Sequence, residues 1–365
     1  MRRIAVDISI LEEPRWTGVE RSAAGLVRAL GAAPDGPEVL LYSRRPVRLP
    51  FPLTGRLRPR PIGGSSRLVV WRDTALCQAL RRDAVRVLLS PVAAIPLLTS
   101  VARTATIHEM PWLRHPGIEG AFRESRYRLR IRAASRVADR LFVPSLTVAR
   151  DLISLCPAAE EKISVLPFGV EEIFQPLAEG AWREEARLRL GLPPGPVVLF
   201  VGKARRKKNL PVLVRAVEQM RRRMDPKPVL VLAGVHPGEV EPRPGVVPHP
   251  LGFVPDLDLV RLYNLASVLA YPSLSEGFGF PPLEAMACGT PVVAARAGAV
   301  PEVVRDAALL VDPASPAALA EALRSAIEDV SVRADLTLRG RERVDAFRWA
   351  AVGIEALRLL TAVAA

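Results

Sequence analysis

Apolar residues along this chain fall into two alternating patterns. Short unbroken apolar runs, bounded by glycine, proline or charge, read as strands buried on both faces of a parallel sheet. Between them lie longer stretches whose apolar positions recur every three or four residues, the stripe of a helix with one buried side. The first half gives strands at Arg3–Ser9, Val39–Tyr42, Val85–Leu89, Thr104–His108, Leu141–Pro144 and Ile163–Leu166. Its helices run over Glu20–Leu30 and from Ser145, a fitting N-cap, to about Leu155. Arg44 to Arg67, dense in Pro, Gly and Arg, reads as a loop. A connection from Gly169 to Gly195, with a short helix around Trp182–Leu190, leads into a second alternating set. That set has strands Val197–Val201, Val229–Ala233, Val268–Tyr271 and Pro291–Ala295, and helices Asn209–Arg223, Leu257–Ala266 and Pro316–Asp329. An apolar-striped helix, Trp349–Val363, closes the chain. Alternation of this kind predicts parallel α/β sheets, and 365 residues suffice for two domains.

Composition narrows the setting. At 49% hydrophobic residues the chain has the make-up of a globular protein, and it lacks the long apolar run of a membrane-spanning helix. Its N-terminus has no apolar signal-peptide core. Cys77, Cys156 and Cys288 are too widely spaced for a disulfide framework or a metal knuckle, and no Asp-x-Asp metal motif is found. A cytoplasmic protein without a metal site is the expectation. The net charge of +13 is uneven: residues 1–168 hold 27 Lys and Arg against 15 Asp and Glu, and the remainder 24 against 23. A basic first half suits an anionic membrane surface or a phosphate-bearing acceptor. Seven arginines between Phe122 and Arg140 fall all round a helical wheel and define no apolar membrane face. Peripheral contact at the inner face of a membrane therefore rests on charge alone. Nucleic acid is set aside, because no aromatics interleave with the basic residues.

Three segments carry candidate chemistry. Ser273 to Val293 places Glu276 before a glycine turn and Glu284 inside the following helix. Pro281 and Pro282 suit the first helical turn, and the free N–H groups of Gly277, Phe278, Gly279 and Phe280 would face anions or hydroxyls. A second segment, Leu199 to Leu210, ends a strand in Gly202 and then sets five basic residues before a helix. Cations at such a strand end neutralise a diphosphate. A third, Thr106 to Pro116, puts His108 and Glu109 at another strand end, and Thr17-Gly18-Val19-Glu20-Arg21 opens the first helix.

The Tyr271–Val293 pattern resembles the Glu-x7-Glu signature of the retaining glycosyltransferases of family 4, the group 1 glycosyltransferases, among them mannosyltransferase-like members. The resemblance implies the GT-B fold: two Rossmann-like α/β domains facing a central cleft, with the C-terminal helix crossing back to the first. Residues 1–170 with 345–365 would form the acceptor-side domain, and 171–344 the nucleotide-sugar domain. Lys203 and Lys208, aligned on Gly202 and Asn209, would hold the donor diphosphate. Glu276 and the Gly277–Phe280 amides would hold the sugar, Glu284 the ribose, and Phe253 and Val254 the base. Gly18 would approach the donor phosphates, His108 would reach the transferred sugar, and Glu20, Arg21 and Glu109 would line the acceptor side. Lys203 stands where many members have Arg, and Arg305 stands where the family's Pro-Glu-Val-Val-Gly-Asp element has Gly. Catalysis would rest on Glu276, His108 and Lys208, without metal or cofactor. The donor would be a GDP- or UDP-sugar, GDP-mannose preferred, and the acceptor a carbohydrate or glycolipid. The competing reading is a non-catalytic homologue that binds or scaffolds.

Overall fold

In the computed structural model, residues 3–13, 16–34, 36–53 and 55–364 are described. The chain divides into two compact units, one of residues 1–169 with 347–365 and one of residues 170–346. Residues 1, 2 and 365, which the sequence assigns to the first domain, lie outside the described residues.

The first unit is built on strands β1 (Arg3–Asp7), β2 (Val39–Ser43), β3 (Leu57–Pro61), β4 (Val85–Ser90), β5 (Ala102–Thr106), β6 (Arg140–Val143) and β7 (Ile163–Val165). Among the described residues they form one seven-stranded sheet in the order β3-β2-β1-β4-β5-β6-β7. Every neighbouring pair is parallel. The apolar runs behave as their composition requires, with Ala5, Leu40, Leu41, Val87, Leu88 and Leu89 fully buried.

The expectation of a loop over 44–67 is corrected, because β3 lies inside it. Its sequence, Leu-Arg-Pro-Arg-Pro, hides a strand at the sheet edge. Val39 N–H donates to Arg56 O, and Ile62 N–H donates to Ser43 O. In this register the even-numbered residues face β2, so Pro59 and Pro61 fall where an N–H would point outward. Prolines there also block a further strand from adding. A second unexpected element is the helical segment from Leu68 to Arg82, whose Trp71, Leu76 and Leu80 pack beneath the sheet.

The closing helix Trp349–Val363 belongs to the first unit and packs on the first helix, Gly18–Ala32. Two glycines make that contact close. A Cβ on Gly25 would lie 2.2 Å from the Trp349 ring, and one on Gly353 would lie 2.5 Å from the Ala29 carbonyl oxygen.

The second unit carries β8 (Val197–Val201), β9 (Val229–Ala233), β10 (His249–Gly252), β11 (Val268–Tyr271), β12 (Val292–Ala295) and β13 (Leu309–Val311). Among the described residues they make a six-stranded parallel sheet in the order β10-β9-β8-β11-β12-β13. The sequence patterns find the four central strands. They miss β10 and β13, which are short edge strands, and the helix Val330–Val344, whose polar face outweighs its few buried residues.

Candidate functional site

In an open parallel sheet, ligands bind beyond the carboxyl ends of the strands where the strand order reverses. In the second sheet that point lies between β8 and β11, and the loops leaving these strands carry the basic run and the two-carboxylate segment. Gly202, at φ +148°, ends β8, and a Cβ there would sit 3.3 Å from Lys208 Cε. The chain then makes a single 3-10 turn, Arg206–Lys208, and stops at Asn209 in a left-handed conformation, φ 55° and ψ 35°. Asn209 Nδ2 donates to the carbonyls of Pro272 at 3.2 Å and Pro313 at 2.8 Å. Leu274 N–H donates to Lys207 O at 2.7 Å. Backbone and amide bonds thus fix the two loops to each other independently of any charge.

Glu276 then meets two cations. Its Oε1 lies 2.7 Å from Lys208 Nζ and its Oε2 3.5 Å from Lys207 Nζ, and all three side chains are at least 88% buried, with exposures of 10%, 12% and 7%. Burial pushes the Glu276 carboxyl up, but the Lys208 and Lys207 ammonium charges outweigh it. The net pKa is drawn down to about 2. Lys208 also sits 4.8 Å from the centre of the Tyr271 ring and 3.3 Å from its hydroxyl. On the other flank, Ala299 N–H donates to Glu276 O at 2.9 Å. Gly298, at φ +56°, must be glycine for this approach: a Cβ would lie 2.6 Å from both Glu276 N and O.

Gly277 to Gly279 lead into the helix Phe280–Ala287, with proline in its first turn as its sequence requires. Phe278 is buried and packs edge-on against half-buried Phe280 at 5.4 Å. Glu284 is buried one turn on and accepts a 2.7 Å hydrogen bond from Tyr263 OH. Lys203, Arg205 and Arg206 are exposed, whereas Lys207 beside them is buried. Phe253, directly after β10, is 57% exposed, and Val254 is half-buried.

In the first unit the order reverses at β1, between β2 and β4. Here the charges are taken up within the fold. Asp7, at the end of β1, is buried, pairs with Arg72 Nε at 2.6 Å and accepts from Ser9 N–H at 3.0 Å. Glu20 folds back as a helix cap: its Oε2 accepts from Thr17 N–H at 2.7 Å and from Thr17 Oγ1 at 2.5 Å. Gly18 is exposed at the first position of that helix, and Arg21 and Glu109 are half-buried. His108 lies beyond the end of β5, not within the strand as its sequence suggests. Its Nε2 bonds the Pro91 carbonyl oxygen at 2.7 Å and its ring stacks on Phe168 at 5.3 Å. Burial lowers the imidazole pKa, against smaller upward pulls from that carbonyl and the Glu20 charge. A neutral ring bonded to a carbonyl carries its proton on Nε2, which leaves Nδ1 as an acceptor. Loops after β1 and β2 also bound an open cavity of about 420 Å³ lined in part by Leu11, Trp16, Val47 and Leu49.

The chemistry missed from sequence is mostly one lysine and its frame. Lys207 sits in the same basic run as its exposed neighbours, and only the 3-10 turn decides which of them turns inward. Asn209 was the available signal, since Asn is the residue that takes a left-handed turn most readily after Gly. Tyr263 and Gly298 gave none, because their partners are 21 and 22 residues away in the chain.

Against known proteins, the family model described as glycosyl transferases group 1 matches residues 183–343. The model described as glycosyltransferase family 4 matches residues 16–172. A D-inositol 3-phosphate glycosyltransferase of Salinispora arenicola is 38% identical over 235 residues, 58% of this chain and 52% of that protein. An O-antigen chain mannosyltransferase B of Escherichia coli is 36% identical over 160 residues, 41% of this chain and 42% of that protein. The chain thus spans about half the length of the curated relatives it matches. A sucrose-phosphate synthase structure from Thermosynechococcus elongatus superposes with a TM-score of 0.77 at 21% identity, covering 100% of this chain and 99% of that one. Two parallel Rossmann-like sheets, a helix that returns to the first, and family models matched in both halves lead to one assignment: the chain belongs to the group 1 glycosyltransferases of GT-B fold.

Proposed function

We propose that this protein transfers a hexose from a nucleoside-diphosphate sugar to a saccharide, lipid-linked or small-molecule acceptor, with retention at the anomeric carbon and without metal. One observation carries the reading: the loops at the strand-order reversal gather two lysine ammonium groups and one carboxylate, all largely buried. Burying charged groups costs several kcal/mol by order of magnitude, and a fold accepts that cost where the groups meet a ligand. A diphosphate is such a ligand. The family relation and the relatives' names, a D-inositol 3-phosphate glycosyltransferase and an O-antigen chain mannosyltransferase, support sugar transfer.

Glu276 fits the role of a hydroxyl acceptor better than that of a nucleophile. A carboxylate held between two ammonium groups with its pKa drawn to about 2 is a weak base and a poor attacking group. Retention then proceeds on one face of the sugar. The bond from the anomeric carbon to the diphosphate oxygen breaks, and the acceptor oxygen bonds to that carbon from the same side. The acceptor's proton passes to the departing diphosphate. Lys208 and the N–H groups at Gly277–Phe280 stabilise the charge on the leaving group. His108, with Nδ1 as acceptor, is suited to a hydroxyl of the transferred sugar. The acceptor is assigned to the first unit, where Glu109, Arg21 and the cavity beside Trp16 offer polar and apolar surface. The basic helix Ala121–Val137 suits an anionic lipid surface through charge alone.

The test is product formation from UDP-, GDP-, ADP- and dTDP-sugars with EDTA present. Turnover by one donor, an α-linked product from an α-linked donor, and loss of at least about 10³-fold in kcat/KM in Glu276→Ala are expected. Dependence on added metal would overturn the metal-free reading, and an inverted product would overturn retention. Binding of a donor without transfer to any acceptor would favour the non-catalytic homologue.

A further inference from the structure

The two lysines that hold Glu276 are not placed alike, and the difference assigns them different roles. Lys208 runs along Gly202, with its Cε 3.3 Å and Nζ 3.6 Å from where a Cβ would stand, at the end of β8. Its ammonium is also the one over the Tyr271 ring. It is therefore the cation a diphosphate meets at the strand-order reversal. Lys207 is the more buried of the two, its main chain bonded to the Glu276 loop through Leu274 N–H and its side chain reaching Glu276 Oε2. Lys207 is thus tied to the Glu276 loop by its carbonyl, which accepts from Leu274 N–H, and to Glu276 itself by its side chain, whereas Lys208 reaches Glu276 by its side chain.

We propose that Lys207 is a positioning residue that holds Glu276 in place when Lys208 leaves it for the donor diphosphate. The inference rests on the nucleotide-sugar reading above. Without Lys207, Glu276 would have Lys208 as its one lysine partner. Moving Lys208 to a diphosphate would then strand a buried carboxylate, an expensive state. With Lys207 present, Lys208 changes partner while Glu276 stays paired and oriented toward the sugar. An exchange of partners replaces the loss of one.

The experiment is calorimetric binding of UDP and GDP to the full chain and its variants. Lys207→Met is expected to weaken the favoured nucleoside diphosphate about tenfold, because Glu276 then captures Lys208. Adding Glu276→Gln to Lys207→Met is expected to restore affinity to within about threefold of Glu276→Gln alone, since the competing carboxylate is gone. Lys208→Met is expected to lose at least tenfold, about 1.4 kcal/mol, with no rescue by Glu276→Gln. Lys207→Arg, which keeps the cation, should bind like the wild type. The inference is overturned if the Lys207→Met and Glu276→Gln pair binds as poorly as Lys207→Met, for then Lys207 contacts the diphosphate itself. It is equally overturned if Lys207→Met binds like the wild type. Should Lys207→Met not fold, the double variant against Glu276→Gln alone decides: equal affinity supports the role, and a tenfold deficit refutes it. No binding of either nucleotide, or of ADP or dTDP, to the wild type would instead bring down the nucleotide-sugar reading together with this one.

Discussion

The two sheets end in loops of the same kind, yet they use charge in opposite ways. At the reversal point of the second unit, Glu276 gathers two lysine ammonium groups beside the strand ends. At the reversal point of the first, carboxylates are spent on the fold: Asp7 on Arg72, Glu20 on its own helix cap, Glu12 on Arg44. The difference matches the tasks proposed for them. A diphosphate donor is the same in every turnover and rewards a fixed cationic socket. An acceptor varies, and is better met by hydroxyl acceptors and apolar walls than by a strong field.

The most severe test of that contrast after the site variants is Arg72→Met. The Asp7–Arg72 pair is buried, with side-chain exposures of 1% and 8%. Removing the cation leaves Asp7 as a buried charge, at a cost of roughly 3–5 kcal/mol. Chemical denaturation should show that loss, and Asp7→Asn combined with it should recover part. Nucleoside-diphosphate affinity of the folded variant should stay within about threefold of wild type, for the second unit holds its own charges. A large loss of affinity would mean that the two units do not divide the work in this way.

How much of this was legible in the sequence follows from distance along the chain. Glu276, Gly202 and the proline-started helix lie in local patterns, and the central strands are apolar runs that parallel burial demands. Strand β3 was hidden because Pro59 and Pro61, which forbid a central strand, are harmless with their missing N–H turned outward. The Asp7–Arg72 pair spans 65 residues and involves a helical segment no stripe announced. In the basic run, composition ranks Lys203, Arg205, Arg206, Lys207 and Lys208 alike. Only the packing of one 3-10 turn buries Lys207 and exposes Arg206. Chemistry that depends on a side chain's direction was therefore less readable than chemistry that depends on its presence.

A smaller effect sharpens the view of the first unit. Glu20→Gln removes a charged cap and should cost about 1 kcal/mol at pH 8. It should also act on His108, whose pKa burial lowers and the Glu20 charge raises. With the folded pKa below the unfolded value of about 6.5, the unfolded chain binds the proton more readily, so stability falls as pH drops through that range. Loss of the Glu20 charge lowers the folded pKa further and deepens the acid loss. Denaturation midpoints at pH 5 and pH 8 should therefore lie further apart in Glu20→Gln than in wild type. An unchanged gap would mean that Glu20 does not tune His108 between pH 5 and pH 8.

The smallest effect contrasts two strained residues of the second unit. Asn209 and Arg305 both have positive φ, at 55° and 51°. Asn209 uses that geometry, since it aims its amide at Pro272 and Pro313 and fixes the turn carrying Lys207 and Lys208. Arg305 ends the short helix Val300–Val304 at ψ −126°, a conformation that suits glycine. Its charge also adds to the burial that pulls Arg343 down, a like-charge cost. Relief of backbone strain, about 1–3 kcal/mol, outweighs the extra chain entropy of glycine, about 0.5–1 kcal/mol. Arg305→Gly should therefore raise stability by about 1 kcal/mol and leave nucleotide binding untouched. Asn209→Gly should keep the backbone and still lose stability and affinity, because two hydrogen bonds to the site's frame go with the side chain. A gain in stability with unchanged affinity in Asn209→Gly would show that the Asn209 side chain does not hold the lysines.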